Sequence, residues 1–145
     1  MINRKQAVLG TAVVGVRFVP LVLHSVAHVK LGIFLPSIWE NAFIVIVLFL
    51  GPIVAAGLLW TRQARAGAWL LFWSMLGSLL FELHHHFLAL SSDHVSQIRD
   101  DFWGEAFRTT ALGGVIFDAL GCLIAIPLLF DPRRGHSTAA EGKAS

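Results

Sequence analysis

His24 and His28 stand four residues apart near the end of one long apolar run. Glu82, His84, His85 and His86 crowd the end of another, and His94 follows just beyond it. Ionisable groups at such positions are costly in an apolar setting and mark a site. Three chemistries suit these residue types. Imidazoles from two helices can hold Cu, Zn or Fe. A pair of them, one from each helix, can ligate haem b from opposite faces. Without a metal, histidines backed by carboxylates and an arginine can bind a quinone headgroup and carry its protons, because imidazole titrates near neutrality.

The spacing narrows the candidates. His24 and His28 at i, i+4 share a helix face, and Arg17, seven residues before His24, falls near the same face. Ser74, Ser78 and Glu82 repeat every four residues, and that series runs on to His85 and His86. Glu82-x-x-His85 matches the Glu-x-x-His element of di-iron bundles, but that site needs two copies plus two further glutamates, and the sequence has only one copy. Asp118 is the sole ionisable residue of the last apolar run. The candidate metal ligands are therefore His24, His28, Glu82, His85 and His86. The candidate cofactor-binding residues are His24, His28, His85 and His86, supported from behind by Arg17, Asp118 and His94. A purely structural account also exists. Arg17 and Asp118 can pair inside the protein, and at least one of three consecutive histidines must face outward, because neighbours on a helix are about 100° apart.

The elements that carry these residues are helices of membrane-spanning length. The chain has 145 residues, 56% hydrophobic and 14% charged, with a mean hydropathy of +0.71. Soluble domains carry roughly 25% charged residues. Ala7 to Phe34, Ala42 to Trp60, Ala66 to Leu90 and Thr110 to Phe130 each reach the roughly 20 residues that cross a bilayer as helix. Lipid offers the backbone no hydrogen-bond partner, so these runs are helical. The fold class is all-α: an integral membrane four-helix bundle over residues 1–132, followed by a flexible cytoplasmic tail over 133–145. Pro20 and Pro52 should kink the first and second spans. Cys122 is the sole cysteine, which rules out an intrachain disulfide, a CxxC redox pair and covalent haem attachment. The basic start resembles a signal peptide, but Arg17 interrupts the apolar stretch and no cleavage is expected.

Charge follows topology. Arg4, Lys5, Arg62, Arg65, Arg133, Arg134 and Lys143 all fall on one side, seven of eleven Lys and Arg. The positive-inside rule places that side, with both termini, in the cytoplasm of a bacterial inner membrane, and the histidines near the outer face. The scattered cations do not suit nucleic acid despite a pI near 9.2. The outer loop from Ser91 to Arg108 shows Val95, Ile98, Phe102 and Ala106 at helical spacing, with Ser92 and Asp93 as N-cap candidates. A short amphipathic helix on the membrane surface is expected there.

The order of features resembles the DoxX-like family of small four-helix bacterial membrane proteins. The resemblance rests on Arg17, then His24 or His28, then Lys30-Leu31 in the first span. It continues through Gly57-Leu58-Leu59-Trp60-Thr61-Arg62, Ala64, Ala66 and Met75-Leu76, and covers about two-thirds of the chain. Span two lacks the acidic residue often found in that family, and the Glu82 to His86 run is richer in ligands. The resemblance implies a link to quinone-dependent sulfur oxidation or to membrane redox-stress complexes. The expected function is a subunit of a membrane redox complex that holds a metal, haem or quinone. The alternatives are a structural or assembly subunit, or a small metal or solute transporter. The expected partners are the lipid bilayer and other membrane subunits or further copies of the chain.

Overall fold

The computed structural model describes residues 2–34 and 37–130. The tail and its cations Arg133, Arg134 and Lys143 lie outside the described residues. All regular structure among the described residues is helical, in four helices long and apolar enough to cross a membrane. They are α1 (Arg4–Leu31), α2 (Ile38–Leu58), α3 (Ala64–Leu88) and α4 (Phe102–Leu129).

Local sequence explains where they begin and end. Asn3 caps α1 by accepting from the Gln6 N–H at 2.9 Å, while its own N–H donates to Gln6 Oε1 at 2.9 Å. Gly32 ends α1 with φ at 70°, a conformation that favours glycine. The chain then turns back on itself, with the Gly32 N–H on Val29 O at 3.3 Å and the Ile33 N–H on His28 O at 3.1 Å. Residues 59–63 form a tight turn between α2 and α3, tied by the Thr61 N–H to Leu58 O and the Gln63 N–H to Thr61 Oγ1, both 3.0 Å.

Two stretches widen from α to π geometry, Ile44–Leu50 in α2 and His84–Leu88 at the end of α3. The first runs up to Gly51-Pro52. Proline has no N–H to offer the carbonyl four residues back, which is that of Leu48. The second ends with the Ala89 N–H bonded to His84 O, five residues back, at 2.7 Å.

α4 packs along both α1 and α3, and α2 packs mainly on α3. An apolar cluster fills the end that holds the start of α1. Val14, Ala55, Leu59, Leu71, Met75 and Leu128 are at its centre. A smaller cluster of Ala27, Ile98 and Phe107 sits at the opposite end. Between the two lie the buried polar residues.

The expected amphipathic helix in the outer loop is a correction. Residues 91–101 form turns, and α4 starts at Phe102, eight residues before the apolar run Thr110 to Phe130. Two side chains account for this. Asp101 caps α4 by accepting from the Gly104 N–H at 2.8 Å. Arg108 reaches back and donates to Val95 O at 3.2 Å, Ile98 O at 2.6 Å and Asp100 Oδ1 at 2.7 Å. Carbonyls held by an arginine do not continue a helix. Val95 and Ile98 face inward as their pattern implied, but Phe102 faces outward at 75% exposure.

The Asp101 cap has a testable pH dependence. The Gly104 N–H holds the Asp101 carboxyl below its usual range, and the Arg99 guanidinium pairs with it. A depressed folded pKa adds stability that is present above the unfolded pKa and is lost as pH falls through the folded one. Amide exchange at Phe102 to Glu105 should therefore quicken several-fold in Asp101→Ala at neutral pH and little in Asp101→Asn, since asparagine caps equally well. The wild type and Asp101→Ala should converge in acid below the carboxylate range.

Candidate metal centre

Two polar layers cross the protein, and both are built on four-residue repeats. On α3 the stripe is Ser74, Ser78, Glu82 and His86, all buried. On α4, which runs antiparallel, the stripe is Thr110, Gly114 and Asp118. Ser78 thus meets Asp118, Glu82 meets Gly114, and His86 meets the Thr110 level. α1 supplies Arg17 to the lower layer and His24 to the upper one.

Arg17 is 1% exposed and joins all four helices. Its Nε donates to Asp118 Oδ1 on α4, and Nη2 donates to Ser78 Oγ on α3. Nη1 donates to Leu48 O on α2 at 2.7 Å, the carbonyl four residues before Pro52, to which the proline has no N–H to offer. The proline of span two and the arginine of span one therefore answer one another. Glu82 sits one turn higher, within electrostatic reach of both Arg17 and Asp118. Its carboxylate lies against Gly114, where a Cβ would overlap it. Glu82 Oε2 is buried with no hydrogen-bond partner.

The upper layer brings three histidines together. His24 Nε2 lies 3.0 Å from His28 Nε2 and 3.1 Å from His86 Nε2, and ligand atoms of all three fall within 4.8 Å of one another. The opposite ring nitrogens identify the tautomers. His28 Nδ1 lies 3.2 Å from Ile33 O, and His86 Nδ1 lies 3.1 Å from Asp93 O. Carbonyl oxygens only accept, so both Nδ1 atoms carry a proton. His24 Nδ1 lies 3.0 Å from Thr110 Oγ1, whose hydroxyl is directed to Ala106 O at 2.6 Å, so His24 Nδ1 is also the donor. Each neutral imidazole then has a lone pair on Nε2. The His24 lone pair faces those of His28 and His86 at contact distance, and they repel unless a proton or a metal ion lies between them.

No family model, curated protein or solved structure matches this chain. The site must be read from its own geometry.

That geometry has the parts of a metal centre. Ligand bonds of 2.0–2.1 Å in a tetrahedral arrangement put donor atoms about 3.3 Å apart, close to the separations between these nitrogens. Each ligand's second nitrogen is held by an acceptor, which orients the ring and raises its basicity. Phe107, fully buried, lies against all three rings, with centroids 4.5 Å from His24, 4.9 Å from His28 and 5.2 Å from His86. His28 is the most accessible of the three, with a fifth of its side chain exposed. A cleft of about 700 Å³ lined by Leu31, Ile33, Ser91 and Ser92 opens at this end.

The other candidates are placed elsewhere. His85 lies on Phe81, with its Nε2 3.9 Å from Glu40 Oε1. His84 is exposed. His94 is tied to Ser96 Oγ at 2.8 Å and Phe87 O at 3.2 Å, so it anchors the loop. Glu82 belongs to the Arg17 layer. Three residues of the site escaped the sequence reading. Thr110 and Phe107 carried no signal beyond an ordinary helix pattern. Asp93 did carry one, as an acid seven residues after His86, but it looked like a helix cap.

Proposed function

We propose that this protein is an integral membrane four-helix bundle that holds a single metal ion on His24, His28 and His86. One observation carries the reading: three Nε2 lone pairs converge while all three Nδ1 atoms are engaged as donors. Imidazole donors suit Zn, Cu and Fe. His24 Nε2 is already in contact with the other two, and all three lie within 4.8 Å of one another, with no macrocycle-sized gap, so a directly bound ion fits better than haem. A quinone headgroup would need a donor aimed outward, and these nitrogens point inward. A purely structural role accounts for the Arg17 layer but leaves three lone pairs opposed.

Membrane placement is supported by the outward faces. Val19, Val29, Ile46, Leu80 and Leu123 are all more than half exposed, far more apolar surface than a soluble monomer shows. The cation bias puts the histidine layer at the outer face of a bacterial inner membrane and both termini in the cytoplasm. A metal-holding subunit of a membrane redox complex is the role we favour, membership of such a complex being what the resemblance to the DoxX-like family would imply. Copper or iron would serve electron transfer there.

Purification in mild detergent followed by elemental analysis tests the metal. One equivalent of Cu, Zn or Fe per chain is expected, with no Soret band. A metal-free protein that takes up no ion on reconstitution would return the chain to the structural reading. Reporters test sidedness. A fusion after Lys143 should report the cytoplasm and an insertion at Ser96 the outside; the reverse pattern would put the metal on the inner face.

A further inference from the structure

We infer that the groove between α1 and the outer half of α2 holds one acyl chain of an anionic phospholipid, whose phosphate meets Lys30. The inference rests on the membrane reading above and is independent of the metal.

α1 packs on α2 mainly along Gly51–Leu58. Two contacts mark where that packing stops. Arg17 Nη1 donates to Leu48 O, and Phe18 meets Phe49 edge-on, with ring centroids 5.9 Å apart. Beyond that level the helices leave a groove of about 340 Å³, lined by Val22, Ser25, Val26, Val29 and Lys30 of α1 and by Phe49 of α2. The α1 positions fall at i, i+3, i+4, i+7 and i+8, one side of a helix. No described element covers them: Val22, Val26 and Val29 are 49%, 38% and 63% exposed.

The walls select the occupant. The one hydroxyl, that of Ser25, donates to Leu21 O at 2.9 Å and is satisfied within its own helix. Water finds no partner in such a groove, whereas a hydrocarbon chain matches it. From Val22 to Lys30 is about 12 Å, at about 1.5 Å per residue. That is most of one leaflet of a hydrocarbon core roughly 30 Å thick. A helix of that length, about 10 Å across, would fill about 900 Å³, so a second copy of the chain is too bulky for the space. Lys30 stands at the outer end, where headgroups begin. Its ammonium lies 5.8 Å from the Trp103 ring centroid. No carboxylate among the described residues pairs with it. A lysine ammonium beside an interfacial tryptophan suits a phosphate. A headgroup with a cation of its own would be repelled by Lys30, so a net-negative lipid fits best.

The full chain, purified in mild detergent, is compared by native mass spectrometry with two variants after addition of phosphatidylglycerol or phosphatidylcholine. The wild type should retain one lipid per chain and favour phosphatidylglycerol about fivefold, the effect expected of one lysine at an anionic headgroup. Lys30→Gln should hold the two lipids alike. Val26→Trp, which fills the groove and keeps the charge, should retain neither. A wild type that holds both lipids equally would overturn the site whether or not the variants fold. A preference that survives Lys30→Gln, or retention untouched in a folded Val26→Trp, would do the same. So would an isoprenoid extracted in place of the phospholipid, or a dimer that Val26→Trp disperses. A chain that stays soluble and monomeric once detergent is removed would overturn the membrane reading itself.

Discussion

His24→Ala and His86→Ala should each leave the purified protein without bound metal, while His84→Ala and His85→Ala keep it at wild-type stoichiometry. The contrast between adjacent residues is what gives the experiment its force. His85 and His86 are equal in chemistry and in distance along the chain, and differ in the face they occupy. His86 continues the Ser78–Glu82 stripe into the interior, while His85 turns toward Glu40 and Phe81. His24 should be the least dispensable, because its Nε2 is the one in contact with both others. His28, partly exposed, should lose affinity in the alanine variant to a degree that water in the vacated position can soften. His94→Ala should leave the metal in place, since both its ring nitrogens are bonded to the loop and to Phe87 O. Thr110→Val is a finer probe. It leaves every ligand intact and removes the acceptor that orients His24, so metal affinity should fall by about 10–100-fold. Metal retained at full stoichiometry in His24→Ala/His86→Ala would end the proposal.

The four helices were legible because length and apolar content alone define them. The histidines were legible as a cluster for the same reason, since six of the seven fall at one end of the spans. Choosing among them required the register of α3 against α1 and α4. A four-residue repeat from Ser78 through Glu82 points to His86, but the widened turn at His84–Leu88 cannot be seen in an apolar pattern. The loop was misread for a different reason. Val95, Ile98 and Phe102 have helical spacing, yet the backbone there is decided by Arg108, whose guanidinium captures two of its carbonyls. Asp93 then enters the interior instead of capping a helix. Such contacts join residues that no local rule connects.

The lower layer makes an equally sharp claim about stability. Arg17→Gln and Asp118→Asn should each destabilise the detergent-solubilised protein by about 3–5 kcal/mol, because each strands a buried partner. Both side chains are at or below 1% exposure, and neither partner can turn to water. The depths expected from counting residues along the spans differ by about one helical turn for Arg17 and Asp118, yet the two are in direct contact. Arg17→Gln should be the worse of the two. It also removes the donor from Leu48 O, which Pro52 cannot replace, and from Ser78. The double variant should be more stable than the sum of the single losses predicts, with a coupling of at least about 1 kcal/mol. Glu82 is the reason the recovery should be incomplete: with both charges gone, its unpartnered Oε2 remains between the layers, against Gly114. Strict additivity in the cycle would mean that the pair does not hold the helices together, and that the Arg17 bond to α2 is what matters. Metal content should survive in whichever of these variants folds, since the histidines lie about 10 Å farther along α1, seven residues at about 1.5 Å each.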